Sequence, residues 1–148
     1  MNLSKSTDRQ WLAAAVTAAS STDDNSQIVD MANWEGVMFI TAITDSAANG
    51  VASMIVEQNT ANSASGMAAL GASGIAAATC AVNDDINGKL LTVDVYRPRE
   101  RYLRVNRTSA TANIAYGDVI AILYGPRSMP VTQTESADSD LAVSAAEA

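Results

Sequence analysis

GKLLTVDVYRPRERYLRVNR, residues 88–107, carries two alternating runs of side chains on either side of a proline. In the first run Leu91, Val93 and Val95 share one face while Thr92 and Asp94 share the other. That period of two belongs to a strand in a sheet with one wet side. In the second run Leu103 and Val105 predict an inward face, and Tyr102, Arg104 and Asn106 an outward one. Pro98 cannot donate to a ladder, so YRPRERY is predicted to be a corner, bulge or edge leading from the first strand into the second.

Outward from this pair, SQIVDM (26–31), GVMFITAI (36–43), GVASMIVEQ (50–58), GIAAATCAV (74–82) and DVIAILYG (118–125) also read as strands. Asn49-Gly50 and Asn87-Gly88 are reverse-turn signals, although a hairpin needs strands directly on both sides. Residues 60–74 are an excursion of small residues, predicted as a long loop or a short helix. Seven to eight short strands at this spacing predict an all-β domain, an antiparallel sandwich or jelly roll, over residues 26–132.

The flanks differ in character. Residues 1–25 form a predicted N-terminal arm, in which the T-x-x-Q spacing of Thr7 and Gln10 and the run of alanines allow a helix from about Asp8 to Ala19. An extended arm lying on a neighbour is the alternative. Residues 133–148 form an acidic C-terminal tail with four acids (Glu135, Asp138, Asp140, Glu147) and no base. Composition makes this segment a mobile tail, unless a partner holds it as an arm.

A chain of 148 residues has the size of one ordinary domain with one core. That core is thin, because the sequence has 28 alanines and a single phenylalanine, Phe39. Small side chains stabilise modestly at ~25 cal/mol per Å² buried. VMFITAI and VIAILY are moreover apolar on both faces, which predicts cover from a loop, an arm or another subunit. Both features point to an assembly.

Cys80 stands alone and reads as a small core residue, so no internal disulfide forms. No stretch approaches the ~20 apolar residues of a membrane helix. The start resembles a secretory signal, but Asp8, Arg9 and Gln10 interrupt it and its apolar run is mostly alanine, so a cytoplasmic product is expected.

The chemistry is mostly negative. Without histidine there is no Ser-His-Asp or Cys-His relay and no histidine metal ligand. Catalysis would rest on carboxylates alone, and nothing in their arrangement argues for an enzyme. Asp23-Asp24-Asn25 and Asp84-Asp85 lack the spacing of a calcium loop and read as solvated turns. Gly71-x-x-Gly74 lacks the Gly-Lys-Ser/Thr ending of a phosphate cradle and reads as a flexible turn. Neither cofactor nor metal is expected.

Five arginines fall between residues 93 and 107 (Arg97, Arg99, Arg101, Arg104, Arg107). Against Asp94 and Glu100 they give this segment a net +3, so the remainder of a chain at −7 carries −10. Such a remainder repels a polyanion, which disfavours nucleic acid as a partner. Arginine is enriched at protein interfaces and pairs with carboxylates through its planar fork, so a protein contact fits better. A solvated corner closed by internal salt bridges is the plainer alternative.

The order WEGVMFI (34–40), IVEQNTANSASG (55–66), LTVDVYRPRERYLRVNR (91–107) and AILYGPRSMPVT (121–132) resembles small structural proteins of tailed bacteriophages, in particular the capsid decoration, or cement, proteins. The likeness covers roughly residues 26–132, and RPRERYLRV and YGPRSMP are its most specific pieces. It implies a β-sandwich or jelly roll, a homotrimer, and the major capsid protein as partner. It places the protein on the outer capsid surface of the virion, at capsomer junctions, where it would resist the pressure of packaged DNA. Arg97, Arg99, Arg101, Tyr102, Arg104 and Arg127 are then the interface candidates. The rival function is a sandwich module that binds a glycan or receptor on a tail or spike. Such sites stack aromatics on sugars, and Trp34, beside Glu35 and ahead of an apolar strand, reads rather as a cap on the core.

Overall fold

The computed structural model describes residues 2–133 and 135–143. Among them a helical turn, α1 (Leu3–Ser6), precedes β1 (Thr7–Ala13), β2 (Val16–Ala19), β3 (Asp23–Asn25) and β4 (Val29–Asp30). There follow β5 (Gly36–Ser46), β6 (Val51–Asn59), β7 (Ala68–Ala69), a 3-10 turn (Ala72–Gly74) and β8 (Ile75–Thr79). The chain closes with β9 (Leu90–Tyr96), β10 (Tyr102–Ala110) and β11 (Ile114–Tyr124).

The strands occupy fewer positions than their number. β1 and β2 both pair with β11, β3 and β4 with β10, and β7 and β8 with β6. One sheet therefore runs β1/β2, β11, β5, β9 and the other β3/β4, β10, β6, β7/β8, with every pairing antiparallel. Strands from opposite ends of the chain lie side by side, and the chain switches sheet at most connections. This is the strand order of a jelly roll, the all-β sandwich that the sequence predicts.

The two turn signals serve this crossing. Asn49 (φ 68°) and Gly88 (φ 73°) adopt the left-handed backbone expected there. Neither turn makes a hairpin: the first carries the chain from β5 to β6 and the second lies between β8 and β9, in each case from one sheet to the other. The small-residue excursion closes instead onto β6, through β7 and the 3-10 turn.

Alternation places the core between the sheets. Leu91, Val93 and Val95 from β9, Val37, Phe39 and Ile43 from β5, and Val119, Ala121 and Leu123 from β11 share the inner face of one sheet and pack against Leu103 and Val105 from β10 and Met54 and Val56 from β6 in the other. Cys80 is fully buried and donates its thiol hydrogen to the Val82 carbonyl. The outward residues of the two most apolar strands, Met38, Ile40, Ile120 and Ile122, are half-buried. Register puts Ile120 between Trp11 and Ile40, and Ile122 beside Met38, so an apolar stripe crosses the outside of that sheet.

Polar side chains also bind the sheets together, Arg107 and Tyr116 through the most bonds among the described residues. Arg107, inward on β10 and 1% exposed, is held by the Asp24 carboxylate (Nη2 to Oδ2 2.5 Å) and donates to the carbonyls of Ala14 (2.6 Å) and Gly117. Its guanidinium also lies 5.8 Å from the Tyr116 ring centre. Tyr116, fully buried on β11, donates its hydroxyl to the Thr108 carbonyl and accepts the Ser53 N–H (3.0 Å).

Three expectations are corrected here. Of the two readings of Asp8 to Ala19 the helix fails and the extended one holds, as strands β1 and β2 joined by Ala14 and Ala15, but they lie on this chain's own β11. Thr7 makes no capping bond to Gln10; its hydroxyl donates to the Leu3 carbonyl (2.6 Å), and Gln10 donates to Asp8 (3.0 Å). Pairing with β11, which buries Leu12, outweighs the helix propensity of the alanines. Asp23-Asp24-Asn25 is strand β3 paired with β10, not a solvated turn, because Asp24 answers the buried Arg107 and Asp23 accepts from Asn106 (2.7 Å). The tail, read as mobile from composition, is tied to β1 up to Ser139. Gln133 accepts from Arg9 (2.9 Å), Glu135 accepts the Trp11 N–H (2.9 Å) and Ser139 accepts from Arg9 (3.1 Å). Glu147 lies outside the described residues.

Candidate docking site at the arginine end

One end of the sandwich collects the Met31–Glu35 connection, the corner between β9 and β10, and the chain just after β11. Together they enclose an open cleft of about 620 Å³ lined by Arg97, Arg99, Arg101 and Arg127, with Trp34 and Pro98 among its walls. The corner forms because Arg97 takes φ 51° and Pro98 follows, stopping the β9 ladder so that β10 starts in the other sheet. Across the cleft, Gly125 has φ 64°, and a Cβ there would stand 2.5 Å from the Cβ of Glu35. Only glycine lets the chain turn that closely past Glu35 and aim Arg127 at the cleft.

The arginines divide into two sets. Arg97 donates Nε (3.0 Å) and Nη2 (2.8 Å) to Glu35 Oε1, which also accepts the Tyr96 hydroxyl (2.9 Å). Arg101 grips Asp30 with both prongs of its fork, Nε to Oδ1 at 2.7 Å and Nη2 to Oδ2 at 2.8 Å, and stacks over the Tyr102 ring at 5.1 Å. Arg99 and Arg127 are exposed, and among the described residues neither side chain has a hydrogen-bonding or ion-pair partner. The paired arginines stiffen the rim while the other two present open forks to whatever enters.

Electrostatics follow the same division. The Arg97 guanidinium, helped by the Tyr96 hydroxyl, holds the Glu35 carboxyl below its ordinary range. Arg101 does the same to Asp30. Hydrogen bonding to Glu35 pushes the Tyr96 hydroxyl up, and burial, together with Asp94, does so for Tyr124. A carboxylate whose folded pKa is depressed stabilises the fold above its unfolded pKa, and that contribution is lost as pH falls through the folded value. The melting temperature should therefore hold from neutrality to about pH 5 and fall below about pH 4. The double variant D30N/E35Q, melted over the same range, should show a shallower acid limb; an unchanged limb would show that the corner pairs do not set it.

Of the six candidate interface residues, the structure gathers Arg97, Arg99, Arg101 and Arg127 in the cleft. Tyr102 lies at its edge beneath Arg101. Arg104 stands apart, on the outer face of β10, half-buried and paired with Glu57 of β6 at 2.6 Å. Trp34 packs against the core, as its sequence position implies, and also walls the cleft. Sequence reasoning did not single out Glu35, Asp30 or Gly125; their only signal was a carboxylate count and a glycine ahead of a proline. Asp84 and Asp85, the other acidic pair, hold their own turn: Asp84 accepts from the Asn87 amide (2.9 Å) and Asp85 from the N–H groups of Ala81 and Val82. Among the described residues no three His, Cys, Asp or Glu side chains converge as a metal site, and no helix is long and apolar enough to cross a membrane.

The chain matches no protein-family model and no curated protein. Among solved structures it is similar to the PBSX exported protein XepA, with a TM-score of 0.53 and 16% identity, over 97% of this chain and 45% of that one. It thus spans less than half the length of that protein. A structure described as "CBM4 structure and function" aligns with a TM-score of 0.48 and 9% identity, over 74% of this chain and 69% of that one. The Eiger TNF of S. frugiperda aligns at 0.46 and 6%, over 92% and 99%. What the XepA likeness shows is the shared β-sandwich fold.

Proposed function

We propose that this protein is a non-enzymatic structural component of a tailed phage. It acts as a decoration protein that binds the outer capsid surface at capsomer junctions as a homotrimer and stabilises the head. The observation that carries this is spatial. The two most specific pieces of the decoration-protein resemblance, RPRERYLRV and YGPRSMP, lie about twenty residues apart in sequence, yet they contribute Arg97, Arg99, Arg101 and Arg127 to one cleft. A sandwich end whose Arg99 and Arg127 forks are unpaired among the described residues suits protein contact. The fold shared with the PBSX exported protein XepA supports the coarser part of this reading, a β-sandwich protein of a phage. So does the outer apolar stripe, which the single chain leaves half-buried.

The test is to add the purified full chain to heads that lack it and to sediment the mixture. Saturable co-sedimentation, with heads that then survive higher temperature, is the expected result. Heads that bind none of it would contradict the proposal. Trp34 in the cleft wall is the one observation favouring the glycan-binding alternative, so a glycan array that lights up with the wild type and goes dark with Trp34→Ala would establish that function instead.

A further inference from the structure

The arginine cleft and the C-terminal tail are complementary in charge. Four arginines line the cleft against Glu35 and Glu100, and Arg99 and Arg127 remain open among the described residues. The tail carries four acids and no base. Of these, Asp138 and Asp140 are exposed and meet no cation among the described residues. A chain at −7 repels its own copies unless a cationic patch on one meets an acidic segment of another.

The tail does not reach the cleft of its own chain. The chain leaves the rim at Arg127, and Gln133, Glu135 and Ser139 then hold the tail to Arg9 and Trp11 of β1. That edge is separated from β9, which leads into the arginine corner, by β11 and β5. The lining of the cleft ends at Arg127, and the described residues of the tail stand outside it. Held there, it presents Asp138 and Asp140 outward from the sandwich.

We infer that the occupant of the cleft is the acidic tail of a second copy, with Asp138 and Asp140 engaging Arg99 and Arg127 of the neighbour. Each copy then offers one cleft and one tail, a head-to-tail contact that closes into a ring when the rotation between copies allows. This deepens the reading of the arginine end as a protein interface by assigning that interface to contact between copies. It is tested without heads, so its failure is distinguishable from failure of capsid binding.

The experiment is the native mass of the full chain by light scattering, over a range of concentrations and at low and high salt. Wild type should exceed the 15.4 kDa of one chain and dissociate as salt is raised, because exposed pairs are screened beyond about 8 Å at physiological ionic strength. R99E/R127E should fall to the mass of one chain, and so should D138K/D140K. The chain carrying all four substitutions restores complementarity with reversed signs and should regain the wild-type mass. A wild type that is monomeric throughout would overturn the inference. Reversed variants that keep the wild-type mass, or a four-fold variant that stays monomeric, would also overturn it.

Discussion

Arg107→Ala should destabilise the protein by about 3–5 kcal/mol, because the cavity left by its buried stem adds to the loss of its hydrogen bonds to buried backbone carbonyls and to the part-exposed Asp24 carboxylate. The side chain is 1% exposed and its donors reach Asp24 of β3, Ala14 of the link between β1 and β2, and Gly117 of β11. Alanine would leave the Ala14 carbonyl and the Asp24 carboxylate without this donor, the Gly117 carbonyl with only the Thr41 hydroxyl, and a cavity where the arginine stem ran. In a domain of this size that amounts to roughly 10 °C or more in Tm. Arg107→Met separates the parts: it keeps most of the stem volume, so it should recover the packing loss but not the lost hydrogen bonds. Urea denaturation of both variants measures the difference. A change below about 1 kcal/mol for the alanine variant, the range of an exposed pair, would show that Arg107 does not join the sheets.

Tyr116→Phe should cost about 1–3 kcal/mol, with the fold and core volume retained. The ring sits fully buried on β11, but its hydroxyl reaches the opposite sheet, donating to the Thr108 carbonyl of β10 and accepting the Ser53 N–H of β6. Phenylalanine fills the same space and leaves both backbone groups without that partner in a dry interior. Tyr116 and Arg107 are in contact, so the two losses should not add, and a double-mutant cycle should give a coupling of about 0.5 kcal/mol or more. Strict additivity would mean that the two ties act separately.

The strands legible in the sequence were those with an unambiguous period. LLTVDV and RYLRV alternate, and both fall on the faces that their pattern predicts. Strand β1 was hidden because the T-x-x-Q spacing of Thr7 and Gln10 also suits a helix start, and β2 because its alanines carry no face; only pairing with β11 decides between helix and strand there. β3 was hidden for a different reason. Asp23-Asp24-Asn25 is depleted in strand formers and becomes a strand only because Asp24 must meet Arg107, a partner 83 residues away. The arginine cluster was legible as a cluster, but its division was not. Which arginines are closed by Glu35, Asp30 and Glu57, and which stay open, depends on long-range pairing that no local spacing encodes. Composition likewise marked residues 133–148 as a tail without showing that Gln133, Glu135 and Ser139 bind it to the edge of β1.

The most direct measurement is electron cryo-microscopy of heads saturated with the purified chain. The predicted map shows jelly-roll density on the outer surface at capsomer junctions, grouped in threes, with the corner at residues 97–101 and Arg127 buried in contact with a neighbouring copy. Bare junctions, or jelly rolls bound singly with that corner facing solvent, would contradict the account.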